Sequence, residues 1–254
     1  MLDTLERNLI FRPVTEDWEG YSPAIVSEEA VWIPVGDGGR LQGWWLAAPG
    51  AQYTIVYFHG ARVNLTGSVY RLRRMRAAGY NVLAVDYRGF GRSSPLLPSE
   101  QSVYADARAA WDWLDARVPD RRRRILYGHS LGGPVAAELA LGAEAAALVI
   151  ESSFTSVPEL ASLGGLVTHR LDLLSKLERI EIPVVIVHGA EDTMVPPDMA
   201  RRLHAAARGP KRLLLVEGAG HSWVAFRAGD AVWAALRELI AAGRSRSDAT
   251  PGQR

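Results

Sequence analysis

The chain of 254 residues contains no cysteine. That absence excludes a disulfide framework, thiolate zinc sites and a cysteine nucleophile together. Net charge is equally scarce, with 29 lysines and arginines against 28 aspartates and glutamates, a balance of +1. No overall field draws the molecule to nucleic acid or anionic lipid, so no nucleic-acid partner is expected and any partner has to be read from local sites. Long apolar runs are missing too. Stretches such as Ala145–Ile150 and Leu213–Val216 fall far short of the roughly 18 residues a membrane helix needs, so no integral membrane segment is expected. Met1–Glu19 is interrupted by Asp3, Glu6, Arg7, Arg12, Glu16 and Asp17 and lacks the apolar segment of a secretory signal, so a cytoplasmic location is the expectation. What is present is globular: 48% of residues are apolar and 22% charged, enough to bury a sizeable core.

Val31–Val35 and Leu41–Ala47 read as β-prone segments on either side of Gly36, Asp37, Gly38 and Gly39, an antiparallel hairpin. Compact apolar runs follow at Tyr53–Phe58, Tyr80–Val85, Ile125–Tyr127, Ala146–Ile150, Pro183–Val187 and Arg212–Val216. Helical patterns fall at Gly67–Ala78, Ser99–Arg117, Leu131–Leu141, Pro197–Ala207 and Ser222–Ala242. Near-continuous apolar strands alternating with helices predict an α/β fold of about eight strands, mostly parallel, with helices on both faces and an antiparallel N-terminal edge. No internal linker divides residues 1–242, which read as one domain with a short insert at about 152–182. Within that insert, Ser156–Leu166 and Leu171–Ile180 are expected to form two small helices, a short lid. From Gly243 onward, GRSRSDATPGQR is polar and aperiodic and reads as a frayed tail.

In such a sheet ligands bind beyond the carboxyl ends of the strands, where the chemistry-bearing residues of this chain collect. Gly128-His129-Ser130-Leu131-Gly132 fits G-x-S-x-G between an apolar strand and an alanine-rich helix, a context that projects Ser130 Oγ into the cleft at a helix N-terminus. A serine hydroxyl is barely ionised near neutrality and needs a base. His221, in the small-residue loop Glu217-Gly218-Ala219-Gly220-His221, is the best of the six histidines. His59 and His188 end strands in His-Gly pairs and read as backbone-bonded. His129 points away from Ser130, and His169 and His204 read as solvated. Asp192, after the Pro183–Val187 strand, leads as the carboxylate that orients the base. Glu151 is a serious substitute and Glu191 a solvent-facing neighbour.

The segments GHSLGG at Gly128–Gly133, His59-Gly60, DYRGFGRS at Asp86–Ser93, GAEDTMVP at Gly189–Pro196 and GAGH at Gly218–His221 together resemble the α/β-hydrolase superfamily, most closely its small serine-hydrolase branch of esterases and acyl-thioesterases. The likeness spans about residues 31–242. It implies the α/β-hydrolase fold, a Ser130–Asp192–His221 triad, no cofactor, and an oxyanion hole made by the main-chain N–H groups of Ala61 and Leu131. Many relatives carry Asn where this chain has Ala61, and some carry an N-terminal membrane anchor that is not expected here. Alanine keeps the N–H donor that such a hole requires.

The expected activity is hydrolysis of a small-molecule carboxylic ester or thioester through an acyl-enzyme. A serine peptidase, an acyltransferase on the same fold, or a binding module without turnover are the alternatives. Arg62 and Asn64 are candidates to meet a polar substrate group. Phe154, Leu160, Leu163, Val195 and Trp223 are candidates for an apolar pocket wall, which a short insert suits to a compact acyl group. Arg121–Arg124 reads as a solvated turn rather than a polyanion site, and Trp44, Trp45, Trp111, Trp113 and Trp233 as packing residues. No metal site is expected, and oligomeric state is not readable from the sequence.

Overall fold

The computed structural model describes residues 2–21, 29–36, 38–161 and 167–248. Eight strands form one sheet: β1 Glu29–Pro34, β2 Arg40–Leu46, β3 Thr54–Phe58, β4 Asn81–Val85, β5 Arg124–His129, β6 Ala147–Glu151, β7 Val184–Gly189 and β8 Lys211–Val216. Their order is β1-β2-β4-β3-β5-β6-β7-β8. β2 runs antiparallel to both β1 and β4, and all later neighbours are parallel. The hairpin closes as its glycines suggest, with Val35 N–H donating to Gly39 O at 2.8 Å, although Asp37 lies outside the described residues. Every residue of β3, β5, β6 and β7 is buried, as expected of strands covered on both faces.

Alternation along each strand feeds two cores. Val56 and Phe58 of β3 join one cluster with Trp111, Val135, Leu177 and Leu203, on helices α3 (Glu100–Trp113), α4 (Gly132–Ala140), α6 (Leu173–Leu177) and α7 (Pro197–Ala206). Ile55 and Tyr57 join the other, with Leu72 and Leu236 from α2 (Leu65–Ala77) and α9 (Ala231–Asp248). Because β3 lies between β4 and β5, the chain leaves it toward one side of the sheet and returns on the other. The carboxyl ends of β3 and β5 therefore flank an open crevice.

Several sequence expectations are corrected. A helix α1 at Leu2–Phe11 precedes the sheet, where the sequence was read only for a signal segment; it is seated by Phe11, which is fully buried. The pattern at Ser222–Ala242 is two helices, α8 (Val224–Arg227) and α9, separated by Gly229 in the left-handed region at φ 56°. The tail expected from Gly243 instead continues α9 to Asp248, because no proline interrupts it before Pro251; residues 249–254 lie outside the described residues. In the insert, the helices shorten to α5 (Val157–Leu160) and α6, and residues 162–166 lie outside the described residues. Among the described residues no helix is long and apolar enough to cross a membrane.

Close approaches of main chain to main chain join α4 to the sheet. A Cβ at Gly132 would lie 2.1 Å from Phe58 O, and one at Gly128 would lie 2.1 Å from Gly132 O. Both neighbours are main chain, so neither can rotate away. Gly132→Ala should therefore destabilise the fold by about 3 kcal/mol or more, the upper range for an overpacked site. A urea titration of the purified variant measures it, and an unchanged midpoint would contradict the contact.

Candidate active site

Ser130 stands on the turn between β5 and α4 with φ 52°, a left-handed conformation costing a non-glycine residue about 1–3 kcal/mol. Three bonds hold that geometry. Ser130 N–H donates to Glu151 O at 2.8 Å, and Ser130 O accepts from Gly133 N–H at 2.9 Å and from Ser153 Oγ at 2.8 Å. With its main chain fully engaged, Ser130 presents its hydroxyl at the N-terminal end of α4, where developing negative charge is favoured. Ser153, on the loop after β6, had no sequence signal beyond its place at a strand end.

His221 meets Ser130 from the loop after β8. Its Nδ1 lies 2.8 Å from Asp192 Oδ2, and its Nε2 lies 3.2 Å from Ser130 Oγ. An ionised carboxylate only accepts, so Nδ1 carries the proton and Nε2 is left to accept the serine hydroxyl. Asp192 Oδ1 meanwhile accepts from the N–H groups of Met194 and Val195, each at 2.9 Å. The turn-forming and histidine-orienting roles that compete for an aspartate in such a loop are thus divided between its two oxygens. His188 Nε2–H donates to Val195 O at 2.9 Å and lies 3.3 Å from Asp192 Oδ2. Burial pushes the Asp192 carboxyl up, but the bonds from His188 and His221 outweigh it and hold the group well below the usual carboxylate range.

The turn after β3 faces the serine. A Cβ at Gly60 would lie 3.2 Å from Ser130 Cβ, so the Ala61 main chain runs alongside the nucleophile turn. Among the described residues neither the Ala61 nor the Leu131 N–H donates to a protein acceptor. Beneath this turn His59 Nδ1–H donates to Gly60 O at 2.7 Å, and His59 Nε2 lies 3.4 Å from Asp86 Oδ1, which accepts from Leu65 N–H at 2.9 Å. Burial pushes the Asp86 carboxyl up to about 8 and the His59 imidazole down to about 4. Neither is charged at neutral pH.

Glu151, the alternative acid, belongs elsewhere: its carboxyl group is fully buried, bonded to Tyr127 Oη–H at 2.8 Å and to Arg71 Nε–H at 3.1 Å. Glu191 faces solvent. His169 is not solvated; it is buried against Phe11, with Nε2 3.2 Å from Asp3 Oδ1, and pins α1. His204 is half-buried on α7. Asn64 makes no free polar group in the cleft, because it caps α2 through Thr66 N–H and donates to Glu16 O at 2.8 Å. In the expected arginine turn, Arg121–Arg123 form a short 3-10 helix, while Arg124 is fully buried and donates to Trp111 O at 2.7 Å.

Above Ser130 opens a cleft of about 1580 Å³, lined in part by Ala61, Arg62, Phe154, Val195 and Trp223. Phe154 and Val195 are buried wall, whereas Trp223 is 63% exposed at the mouth and packs edge-on against Phe226. Arg62 is exposed at φ 60° beside the Ala61 turn. Leu163 lies outside the described residues. Leu2, Leu5 and Leu9 of α1 complete one side, a wall absent from the sequence reading. The space is larger than the compact acyl site expected from the insert, because the N-terminal helix extends it.

Comparison with known proteins agrees with this architecture. The family model described as serine aminopeptidase, S33, matches residues 49–169, and that of TAP-like protein matches residues 167–251. An uncharacterized protein of Mycobacterium tuberculosis is 33% identical over 227 residues, covering 85% of this chain and 80% of its own length. The human alpha/beta hydrolase domain-containing protein 17B is 32% identical over 212 residues, covering 81% of this chain and 73% of its own. An esterase of Pyrococcus furiosus superposes with a TM-score of 0.73 at 20% identity, over 90% of this chain and 98% of that one, a likeness of fold.

The burial of Asp86 gives the protein a pH signature. Folded, Asp86 keeps its proton up to about pH 8, whereas unfolded it releases it near 3.8. Between those values the folded state binds the extra proton, so this group's contribution to stability is full below the lower value and declines as pH rises through the window. Thermal midpoints from pH 5 to 9 should fall toward the alkaline end by more in the parent than in Asp86→Asn. Parallel curves would show that Asp86 is ionised in the fold.

Proposed function

The chain belongs to the α/β-hydrolase superfamily, and from that premise we propose that it cleaves carboxylic esters or thioesters through an acyl-enzyme formed on Ser130. One observation carries the reading: the unbroken series Asp192 Oδ2–His221 Nδ1 at 2.8 Å and His221 Nε2–Ser130 Oγ at 3.2 Å. In the first step Ser130 Oγ attacks the acyl carbon while its proton passes to His221 Nε2, and the Asp192 carboxylate stabilises the imidazolium. Charge gathers on the former carbonyl oxygen, which the Ala61 and Leu131 N–H groups receive; each such donor is worth about 3 kcal/mol. The imidazolium then protonates the departing alcohol or thiol. Water, deprotonated by His221, attacks the acyl carbon and releases the carboxylic acid and free Ser130. No cofactor enters these steps.

The shape of the cleft supports an extended acyl chain. Its volume of about 1580 Å³ exceeds the roughly 300–1,000 Å³ of ordinary small-molecule sites, and Phe154, Val195, Leu5 and Leu9 give it apolar walls. We assign α1 and the cleft-lining part of the insert, Phe154, Val157, Leu160, Ala161 and Val167, to a shared cover over Ser130, and residues 1–242 with the insert at about 152–182 to a single domain. The aminopeptidase name of the matching family model raises a second reading, cleavage at a peptide N-terminus. That chemistry requires a free carboxylate for the substrate ammonium. Of the acids lining the described part of the cleft, Glu6 already accepts from the Thr168 and His169 main chain, which leaves the exposed rim residue Glu19 as the group this second reading would have to use.

Ser130→Ala should abolish ester turnover and fluorophosphonate labelling while leaving the thermal midpoint close to the parent's. Asp192→Asn should lower kcat by about 10⁴, the effect of losing the orienting carboxylate. Retained turnover in either pure variant removes that residue from the mechanism. Across chromogenic esters, kcat/KM for octanoate should exceed that for acetate by at least about tenfold, since buried methylenes contribute to binding. A reversed preference would refute the extended acyl site.

A further inference from the structure

Arg71, on the side of α2 that faces the sheet ends, makes contacts out of proportion to a helix surface residue. Its Nε lies 3.1 and 3.2 Å from the two carboxylate oxygens of Glu151, at the end of β6. Its Nη2 donates to Ser222 O at 2.9 Å, the carbonyl immediately after His221, and lies 3.1 Å from His129 Nε2, immediately before Ser130. A guanidinium has no acceptor, so His129 Nε2 must accept and its proton resides on Nδ1. That ring in turn rests on the turn after β3, where a Cβ at Gly60 would lie 3.1 Å from His129 Nδ1. One cation thus touches the loop of the base, the residue preceding the nucleophile and, through the His129 ring, the turn bearing Ala61.

We propose that Arg71, locked in place by Glu151, is a positioning residue that holds the His221 loop at proton-transfer distance from Ser130. The inference rests on the role given to His221 above. The fold carries the requirement: Ser130 ends a strand of the sheet interior, whereas His221 hangs from the loop after the edge strand β8. Asp192 fixes the direction of the imidazole through Nδ1, yet it says nothing about how deep the loop sits over the cleft. The bond from Arg71 to the neighbouring carbonyl supplies that second restraint, from the opposite face of the crevice. Glu151 anchors it, because both of its side-chain oxygens share the Arg71 Nε–H inside the protein, leaving Nη2 aimed at Ser222 O, and Tyr127 Oη–H holds Glu151 in turn. A lysine offers one nitrogen and cannot satisfy Glu151, His129 and Ser222 O from a single position.

The test separates positioning from support of the fold. Arg71→Lys keeps the charge opposite Glu151, so its thermal midpoint should stay near the parent's while kcat falls about a hundredfold, the loss expected for a displacement of about 1 Å at the reacting groups. KM should stay within about twofold of the parent's, because no contact to the acyl chain is removed. The rate of Ser130 labelling by a fluorophosphonate should fall in parallel with kcat. Arg71→Met strands the Glu151 carboxylate and should be less stable; adding Glu151→Gln removes the whole buried pair and should restore the midpoint without restoring kcat. Full activity in Arg71→Lys, or recovery of kcat together with the midpoint in the double variant, would make Arg71 a strut of the fold and overturn the proposal. Should Arg71→Met fail to fold, Arg71→Lys still decides. Turnover surviving in Ser130→Ala would instead overthrow the hydrolase reading, an outcome these variants do not mimic.

Discussion

Among the close approaches of main chain to main chain in this molecule, two join the segments that carry the site. At Gly132 the first turn of α4 touches the end of β3, and a side-chain carbon would lie 2.1 Å from Phe58 O. At Gly189 the end of β7 touches the loop after β8, where the same carbon would lie 2.2 Å from Ala219 O. The first approach sets Ser130 against the turn of Gly60 and Ala61. The second draws Asp192 under His221. Each pair of segments leaves a different strand, so their meeting is a consequence of strand order, and glycine is the residue that lets backbones come this near. Side-chain geometry then follows with little freedom left: Ser130 is held through its own N–H and C=O, and His221 through both ring nitrogens.

Charge around the site is handled by pairing or by neutralisation. Asp192 stays ionised because four N–H groups face it, from Met194, Val195, His188 and His221. Glu151 is paired with Arg71 at 3.1 Å. Among the described residues no lysine or arginine pairs with Asp86, which lies against His59, and burial pushes its carboxyl up. The electrostatic contrast among these three carboxyl groups comes from partners rather than depth, since all are buried. Only the one bonded to His221 is in a position to stabilise charge that appears during a reaction.

The sheet was legible in the sequence because its strands are apolar on both faces and glycine or proline punctuates them. The strand limits move by at most two residues, and the order of local elements, with its antiparallel start, follows from the alternation alone. Ser130, Asp192 and His221 were legible because each lies at a strand end in a short, unusual loop. Arg71 was not, since its meaning depends on its side chain reaching the ends of β5 and β6, and nothing in its own neighbourhood, YRLRRMR, distinguishes it from Arg73 or Arg74. Asn64 and His169 were misread for a related reason: polar residues in loops look solvated until a helix cap or a docked segment covers them. Helix α1 escaped notice because Leu2, Leu5 and Leu9 face outward over the cleft, so its periodicity does not mark a face packed on the sheet.

That first helix lies on top of the cleft but outside the fold that makes it. Its anchors are Phe11, the bond of Arg7 to Pro98 O, and the carboxylates of Asp3 and Glu6 on the segment around His169. The residues around Ser130 and the α1 wall of the cleft therefore lie on separate parts of one polypeptide, tied together by these few contacts. A substitution at Leu2, Leu5 or Leu9 thus reshapes the wall of the cleft while the strand packing beneath stays as it is, whereas one at Phe11 reaches the core itself.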